Sequence, residues 1–269
     1  FVSSVSFGKL DRFVGAHFVS CAMLSRVFLA ASLCWSGAAE EFVQGFPLFQ
    51  WSDSGCDTGY HHCGTLEFCG DGVTVFGYRM PGVAECSIAT APMIRVAPGF
   101  RYQLTFRNTV PGTISNIHVH GSHISGVTNG DDPERLCGYA ECLKYNWDFR
   151  ADHMGGTLWY HPHYHTETTK QASGGAFGLF IVEEVPGLTY DAGVQAWLSN
   201  ELYLVAVEVG DLKLGNAKAL DEIDMVQGEW YRLRIAFVDP NGHRSDVQIG
   251  EAAGDCDIHA VAHDDVWRN

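Results

Sequence analysis

The sequence has few basic residues. It contains 17 Lys and Arg against 32 Asp and Glu, which gives the 269-residue chain a formal net charge of −15. A protein that binds nucleic acid neutralises phosphates with a basic surface, and an acidic membrane repels a chain of this charge. The composition therefore argues against nucleic acid and against acidic membranes as partners.

Long apolar runs are also missing. The longest, residues 27–35, is far shorter than the ~20 residues that a membrane-spanning helix needs, so no membrane span is predicted. This run follows Met23 and Arg26 and precedes four small residues, Ser-Gly-Ala-Ala, which is the plan of a secretory signal peptide. We predict an uncertain upstream segment at 1–22, a signal peptide at 23–39, and a secreted protein, extracellular or periplasmic. The alternative is a buried strand or helix near the N-terminus.

Charged residues make up only 18% of the chain, and helix-period stretches are scarce, whereas 30 glycines separate short β-rich runs. This pattern predicts an all-β protein with the architecture of a sandwich or barrel. We divide the chain into a Cys-rich lead at 40–70, a complete β domain at 71–186 and a partial second domain at 187–269. The predicted strands of both domains are residues 73–78, 93–96, 102–106, 114–119, 157–160, 176–182, 202–209, 230–238 and 247–258.

Nine cysteines agree with an oxidising destination, since seven lie beyond the proposed cleavage site. Cys56, Cys63 and Cys69 crowd one segment, and Cys137 and Cys142 close a short loop. This spacing favours disulfides over a zinc site, although the connectivity does not follow from the sequence. Because seven is an odd number, at least one thiol lacks a partner within this part of the chain.

Thirteen histidines are present, and two pairs of them are spaced for chemistry. His118 and His120 form one His-x-His pair, and His161 and His163 form another. Residues i and i+2 of a strand point to one face, so each pair presents two imidazoles side by side. Pro162 places the second pair at a strand edge or end.

Four imidazoles without a thiolate or carboxylate suit copper, zinc or iron. The plain alternative for one His-x-His pair is an incidental pair on a strand, but two pairs within 45 residues favour a metal site. We interpret His61 and His62 as surface or loop residues.

Residues 91–184 resemble the first cupredoxin domain of the multicopper oxidases, the group that includes laccases and copper-efflux oxidases. The similar pieces are APMIRVAPGFRYQLTFRNTV, SNIHVHGSHISG, ADHMGGTLWYHPHYH and QASGGAFGLFIVEE. The resemblance implies a cupredoxin-like Greek-key β-sandwich. It also implies half of the protein ligands of a trinuclear copper cluster, which reduces O2 to water while a one-electron donor, a phenol or a metal ion, is oxidised.

By position, His118 resembles the ligand of the type 2 copper, and His120, His161 and His163 resemble ligands of the type 3 pair. His165 matches a family histidine that supports the ligands without binding copper. Trp159 flanks the ligands and would fix their orientation and exclude water. Proton delivery needs a carboxylate, for which Asp131 and Asp132 are the nearest candidates; the alternative is that both belong to a polar turn.

The sequence departs from the family pattern in one respect. The motifs His-x-x-His-x-His and His-Cys-His-x-x-x-His, which carry the remaining cluster ligands and the type 1 copper, do not occur in the 269 residues. We therefore expect a C-terminally truncated sequence without a type 1 site, whose missing ligands come from an absent C-terminal cupredoxin domain or from another subunit. Such a chain is expected to be inactive alone.

Two other functions remain open at this point. One is a non-catalytic, secreted copper-binding cupredoxin protein that uses the same histidines. The other is a zinc hydrolase or lyase with three histidines and an open coordination position.

Overall fold

The computed structural model describes residues 13–20, 42–43, 46–185, 200–209, 212–215, 229–238, 257–263 and 266–267. These residues form short strands and one six-residue helix, α1 (Thr168–Ser173). The predicted all-β fold class is confirmed. The strands are β1 (Phe13–Ser20), β2 (Phe42–Val43), β3 (Phe46–Pro47), β4 (His62–Gly70), β5 (Phe76–Arg79), β6 (Ile94–Val96), β7 (Arg101–Asn108), β8 (Ile114–Ser115), β9 (His118–His120), β10 (Cys137–Gly138), β11 (Cys142–Asp148), β12 (Gly156–His161), β13 (Gly178–Val182), β14 (Glu201–Val209), β15 (Leu212–Gly215), β16 (Tyr231–Val238), β17 (Asp257–His263) and β18 (Val266–Trp267).

Two four-stranded sheets form a sandwich. One has the order β11-β7-β4-β5 and the other the order β6-β13-β12-β9, and each contains one parallel pair, β4 with β7 and β6 with β13. A single cluster of buried side chains is drawn from both sheets, because alternate residues of each strand point inward. Its largest members include Phe68, Phe106, Tyr145, Trp147, Tyr160 and Phe180.

A third sheet, with six strands in the order β15-β14-β16-β1-β17-β18, lies beside the sandwich and is called the second sheet layer, or second sheet, below. Its strands β14 and β16 pack against the outer face of the β12 sheet through a second buried cluster. Strand β1, which lies in the segment predicted to be upstream, pairs with β16 and β17. The predicted signal peptide lies outside the described residues, as does the first part of the predicted strand 247–258.

Three local predictions differ from the structure. The predicted strand 73–78 begins only at Phe76, because the Asp71 carboxylate accepts the backbone N–H groups of residues 73–75 and holds them in a turn. The predicted strand 114–119 is split into β8 and β9. The Cys-rich lead is not separate from the first sheet, since β4 pairs there with β5 and β7.

The cysteines form two disulfides in the described residues, Cys56–Cys63 and Cys69–Cys86. Cys137 and Cys142 are free thiols, so the disulfide expected for their loop is not formed. Burial raises the pKa of Cys137 to about 11, and its thiol donates to the carbonyl of Glu141 at 2.9 Å.

Helices long and apolar enough to cross a bilayer were not found among the described residues.

Candidate metal centre

The register of two neighbouring strands brings the histidine pairs together. Strands β9 and β12 are antiparallel, and His118 lies directly opposite His161 while His120 lies opposite Trp159. Cross-strand partners have Cβ atoms about 5 Å apart. Val119, between the first two histidines, points into the sandwich core, so His118 and His120 point to the other face.

Three imidazoles converge on this face. His118, His120 and His161 each offer a ring nitrogen, and these three atoms lie within 4.8 Å of one another. The ring centroids are 5.6 Å apart for His118 and His161, and 5.9 Å apart for His120 and His161. His161 is buried, with 1% exposure, whereas the other two rings are half-buried. The centre therefore lies at a margin of the sheet that both protein and solvent reach.

His163 lies just past the end of β12 and is exposed. Its ring centroid is 5.0 Å from that of His118 and 6.0 Å from that of His161, but it does not belong to the group within 4.8 Å. The backbone N–H of His163 donates to Oδ1 of Asn116 at 2.6 Å, which fixes the segment after Pro162 beside β9.

Asn116 was missed in the sequence analysis, although it precedes His118 by two residues and so belongs to the same i, i+2 series. It is fully buried, and its amide also donates to the carbonyl of Pro133 at 2.6 Å. One side chain thus ties both histidine segments to the loop that follows β9.

The contacts of two rings define which nitrogen is available to a metal. Nδ1 of His161 lies 2.8 Å from the carbonyl oxygen of Pro162. Because a carbonyl only accepts, Nδ1 carries the proton and Nε2 carries the lone pair. Nδ1 of His118 lies 2.8 Å from Oδ2 of Asp131, a contact that favours the same tautomer.

The structure separates the two predicted carboxylates. Asp131 is buried, contacts His118 through Oδ2, and accepts the N–H of Val119 through Oδ1 at 3.0 Å. Asp132 accepts the N–H of Glu134 at 3.0 Å and so belongs to a turn. Of the two, Asp131 contacts the histidine cluster.

A tight loop delivers Asp131 to this position. The N–H of Asp131 donates to the carbonyl of Ser125, and the chain approaches so closely that a Cβ at Gly130 would lie 1.7 Å from that oxygen. Asn129 has a φ of 61°, which asparagine tolerates better than most residues. The Asn-Gly-Asp sequence therefore forms a turn and also positions the carboxylate beside His118.

Trp159 packs against two of the imidazoles. Its ring stacks on His161 with centroids 4.1 Å apart and planes at 22°, and lies 5.5 Å from the ring of His120. Only 6% of Trp159 is exposed, so it excludes water from one side of the cluster. His165 is exposed in the turn that leads to α1. Of the two residues predicted to lie on the surface or in a loop, His61 is exposed outside the strands. His62 lies on β4, where its partly exposed ring stacks on Tyr102.

These residues fit a copper ion. The donor set is made only of imidazoles, which bind Cu(II) strongly. The oriented tautomer of His161 and the carboxylate beside His118 are the supporting contacts that metal-binding histidines commonly have.

The fold and the cluster define a cupredoxin-like β-sandwich with three converging histidines, and comparisons with known proteins agree on the fold. Residues 87–186 match the multicopper oxidase family model. The chain is 30% identical over 122 residues to the iron transport multicopper oxidase FET3 of Candida albicans, covering 44% of this chain and 19% of that protein. It is 25% identical over 194 residues to laccase-2 of Trametes versicolor, covering 61% of this chain and 37% of that protein.

Among solved structures, a laccase from Pediococcus acidilactici superposes with a TM-score of 0.50 at 16% identity, covering 69% of this chain and 43% of that one, which supports the fold alone. The sequence matches support a multicopper oxidase domain at residues 87–186. The chain spans about a fifth of the length of the FET3 relatives.

Proposed function

We propose that this chain supplies half of the trinuclear copper cluster of a secreted multicopper oxidase. His118 would hold the type 2 copper, and His120, His161 and His163 would hold the type 3 pair. The observation that carries the proposal is the cross-strand register, which sets three imidazole nitrogens within 4.8 Å of one another beside a buried carboxylate.

Copper bound here would supply the one-electron redox chemistry with which the family uses O2. Reduction of O2 to two waters consumes four electrons and four protons. The electrons would come from a phenol or a metal ion, through a type 1 site whose motif does not occur in these 269 residues. The remaining ligands would come from a further cupredoxin domain or another subunit.

The residues of this chain have defined tasks in that reaction. The carbonyl oxygen of Pro162 accepts a hydrogen bond from Nδ1–H of His161, which leaves Nε2 available to the metal. Asp131 lies 2.8 Å from Nδ1 of His118 and would be the carboxylate that passes protons toward the cluster. Trp159 shields the rings of His120 and His161 from water. Asp132 lies in a turn and, among the described residues, makes no contact with the histidine rings.

The disulfides support secretion into an oxidising compartment. Cys56–Cys63 and Cys69–Cys86 both join segments of the first sandwich, and such bonds persist outside the cytosol. This supports an extracellular or periplasmic protein.

Copper titration of the metal-free 269-residue chain tests the proposal. We expect Cu(II) to bind with nitrogen hyperfine structure in its electron paramagnetic resonance (EPR) spectrum, and His118→Ala to raise the dissociation constant at least ~100-fold. His123→Ala is the matched control, because this exposed histidine lies three residues past His120 and outside the ligand group.

Two results would contradict the proposal. One is binding that His118→Ala leaves unchanged, and the other is a metal analysis in which zinc displaces copper at equal concentration. Reading the transcript beyond Asn269 for His-Cys-His-x-x-x-His tests the oxidase part. A stop codon there would favour the non-catalytic copper-binding alternative.

A further inference from the structure

The outer face of strand β12 carries more than the metal site. Thr157, Trp159 and His161 alternate with Leu158 and Tyr160, which point into the sandwich core. All three outer residues are buried, because the second sheet covers this face. The histidine-bearing strand is therefore enclosed between two layers.

The covering face of the second sheet has two parts. Its apolar part packs around Trp159 in one buried cluster, while its polar part lies at the other end of the same strands. Glu201 begins that end on β14, and Arg232 and Arg234 follow on β16, two residues apart on one face. The apolar contributors to the cluster are Tyr203, Val205, Ala236 and Val238.

Arg234 connects this sheet to β12 by hydrogen bonds. It is 0% exposed, and its Nη1 donates to Oγ1 of Thr157 at 2.8 Å. Its Nη2 donates to Glu201 Oε1 at 2.6 Å and to Glu184 Oε2 at 3.0 Å. Arg232 contacts the same two carboxylates, so two buried cations face two carboxylates.

This buried network of two arginines and two glutamates says more about how the strands are positioned than about the free energy of unfolding. Burying two guanidinium groups removes their hydration, and the carboxylates offset this loss only when the geometry is good. Burial raises the pKa of Glu184, but the adjacent Arg234 and Arg232 outweigh burial and hold the pKa at about 2. The lowered pKa keeps Glu184 charged at neutral pH, and the bond from Arg234 to Thr157 joins β16 to β12.

We propose that the second sheet positions the copper-binding strand, with Thr157 and Arg234 as positioning residues for the imidazoles of His161 and His120. The link runs along one strand face: Arg234 fixes Thr157, and the second sheet presses Trp159 against both rings. This inference rests on the proposed function, since it concerns copper ligands. It assigns the second sheet a part in tuning the metal site.

Thr157→Val removes the hydroxyl at nearly constant volume. We expect the dissociation constant for Cu(II) of the full chain to rise ~10-fold or more, the range seen when supporting partners of metal ligands are removed. The Cu(II) EPR hyperfine coupling should shift as well, because the imidazole orientation changes. Thr157→Ser keeps the hydroxyl and is expected to restore both readouts.

Tyr203→Phe is the matched control for loss of interface stability. It removes the hydroxyl contacts to Arg95 and Glu201 in the same interface but leaves the ring in the cluster around Trp159. Neither Arg95 nor Glu201 lies on β12, so copper affinity and spectrum should stay those of the wild type even if the thermal midpoint falls.

Arg234→Lys is the second variant. It keeps a charge between the carboxylates but lacks the planar fork that reaches Thr157 and both carboxylates together. The proposal is overturned if either folded variant binds copper with the wild-type constant and spectrum, or if both variants fail to fold. Absence of copper binding by the wild-type chain would instead overturn the proposed function.

Discussion

The two faces of strand β12 differ in what they bury. The inner face places Leu158 and Tyr160 in an aromatic and aliphatic core that joins both sheets of the sandwich. The outer face buries a threonine, a tryptophan and a histidine against charged and apolar residues of the second sheet. One strand thus packs the sandwich core on one side and carries the proposed metal ligands on the other, and variants can change each face separately.

The largest effect is expected from the inner face. Tyr160 is 0% exposed and donates to the carbonyl of Pro92 at 2.7 Å. Tyr160→Ala should lower the free energy of unfolding by about 4 kcal/mol in urea denaturation, because it leaves a large cavity. Tyr160→Phe keeps the ring and should cost only about 1–2 kcal/mol. Equal losses for both variants would mean that the ring does not anchor the core.

The next effect concerns the charges of the outer face and depends on pH. Glu184 has a pKa of about 2 in the folded chain, below its ordinary value of 4.5. A lowered carboxyl pKa contributes stability that is present above pH 4.5 and is lost as the pH falls toward 2. The free energy of unfolding of the wild-type chain should therefore fall by about 3 kcal/mol between pH 4.5 and pH 2 because Glu184 becomes protonated.

Glu184→Gln should flatten that part of the pH profile and lower stability at pH 7, since it removes a charge between Arg232 and Arg234. A variant whose profile still falls as steeply as that of the wild type between pH 4.5 and 2 would show that other carboxyl groups cause the acid loss.

The smallest effect on stability, but a clear one on metal binding, is expected at Asp131. Asp131→Asn keeps an oxygen for the N–H of Val119 but removes the negative charge beside His118. Copper affinity should fall about 10-fold, and unfolding should change by less than about 1 kcal/mol. Asp132→Asn should change neither quantity, since Asp132 contacts a turn N–H.

The β-rich runs and the His-x-His spacing were strong enough to predict the fold class and the face that the histidines share, because strand periodicity is local. The cross-strand register was not predictable, since it depends on how β9 and β12 pair. The sequence also left Asp131 and Asp132 equivalent. Only the close turn at Gly130 distinguishes them.

The largest omission was the buried charge network. Arg232 and Arg234 have 1% and 0% exposure, although arginine is almost always exposed unless it is paired. Their partners, Glu184 and Glu201, lie about 30 to 50 residues earlier in the sequence. Local sequence patterns do not predict such pairs. The burial of His161 was equally hidden in the sequence, since its 1% exposure depends on the packing of Trp159 against its ring.

The parallel pairing of β6 with β13 bears on how the protein matures. Strand β13 is the neighbour of both β6 and the histidine-bearing β12, yet Ile94 and Phe180, which face each other there, are far apart in sequence. Pairings of this kind form slowly, because closing the long loop between the two strands costs conformational entropy before the pairing contributes stability. During synthesis His118 and His120 emerge well before that sheet can close, so metal offered to the nascent chain would meet an incomplete set of ligands. Copper loading is therefore expected to follow folding.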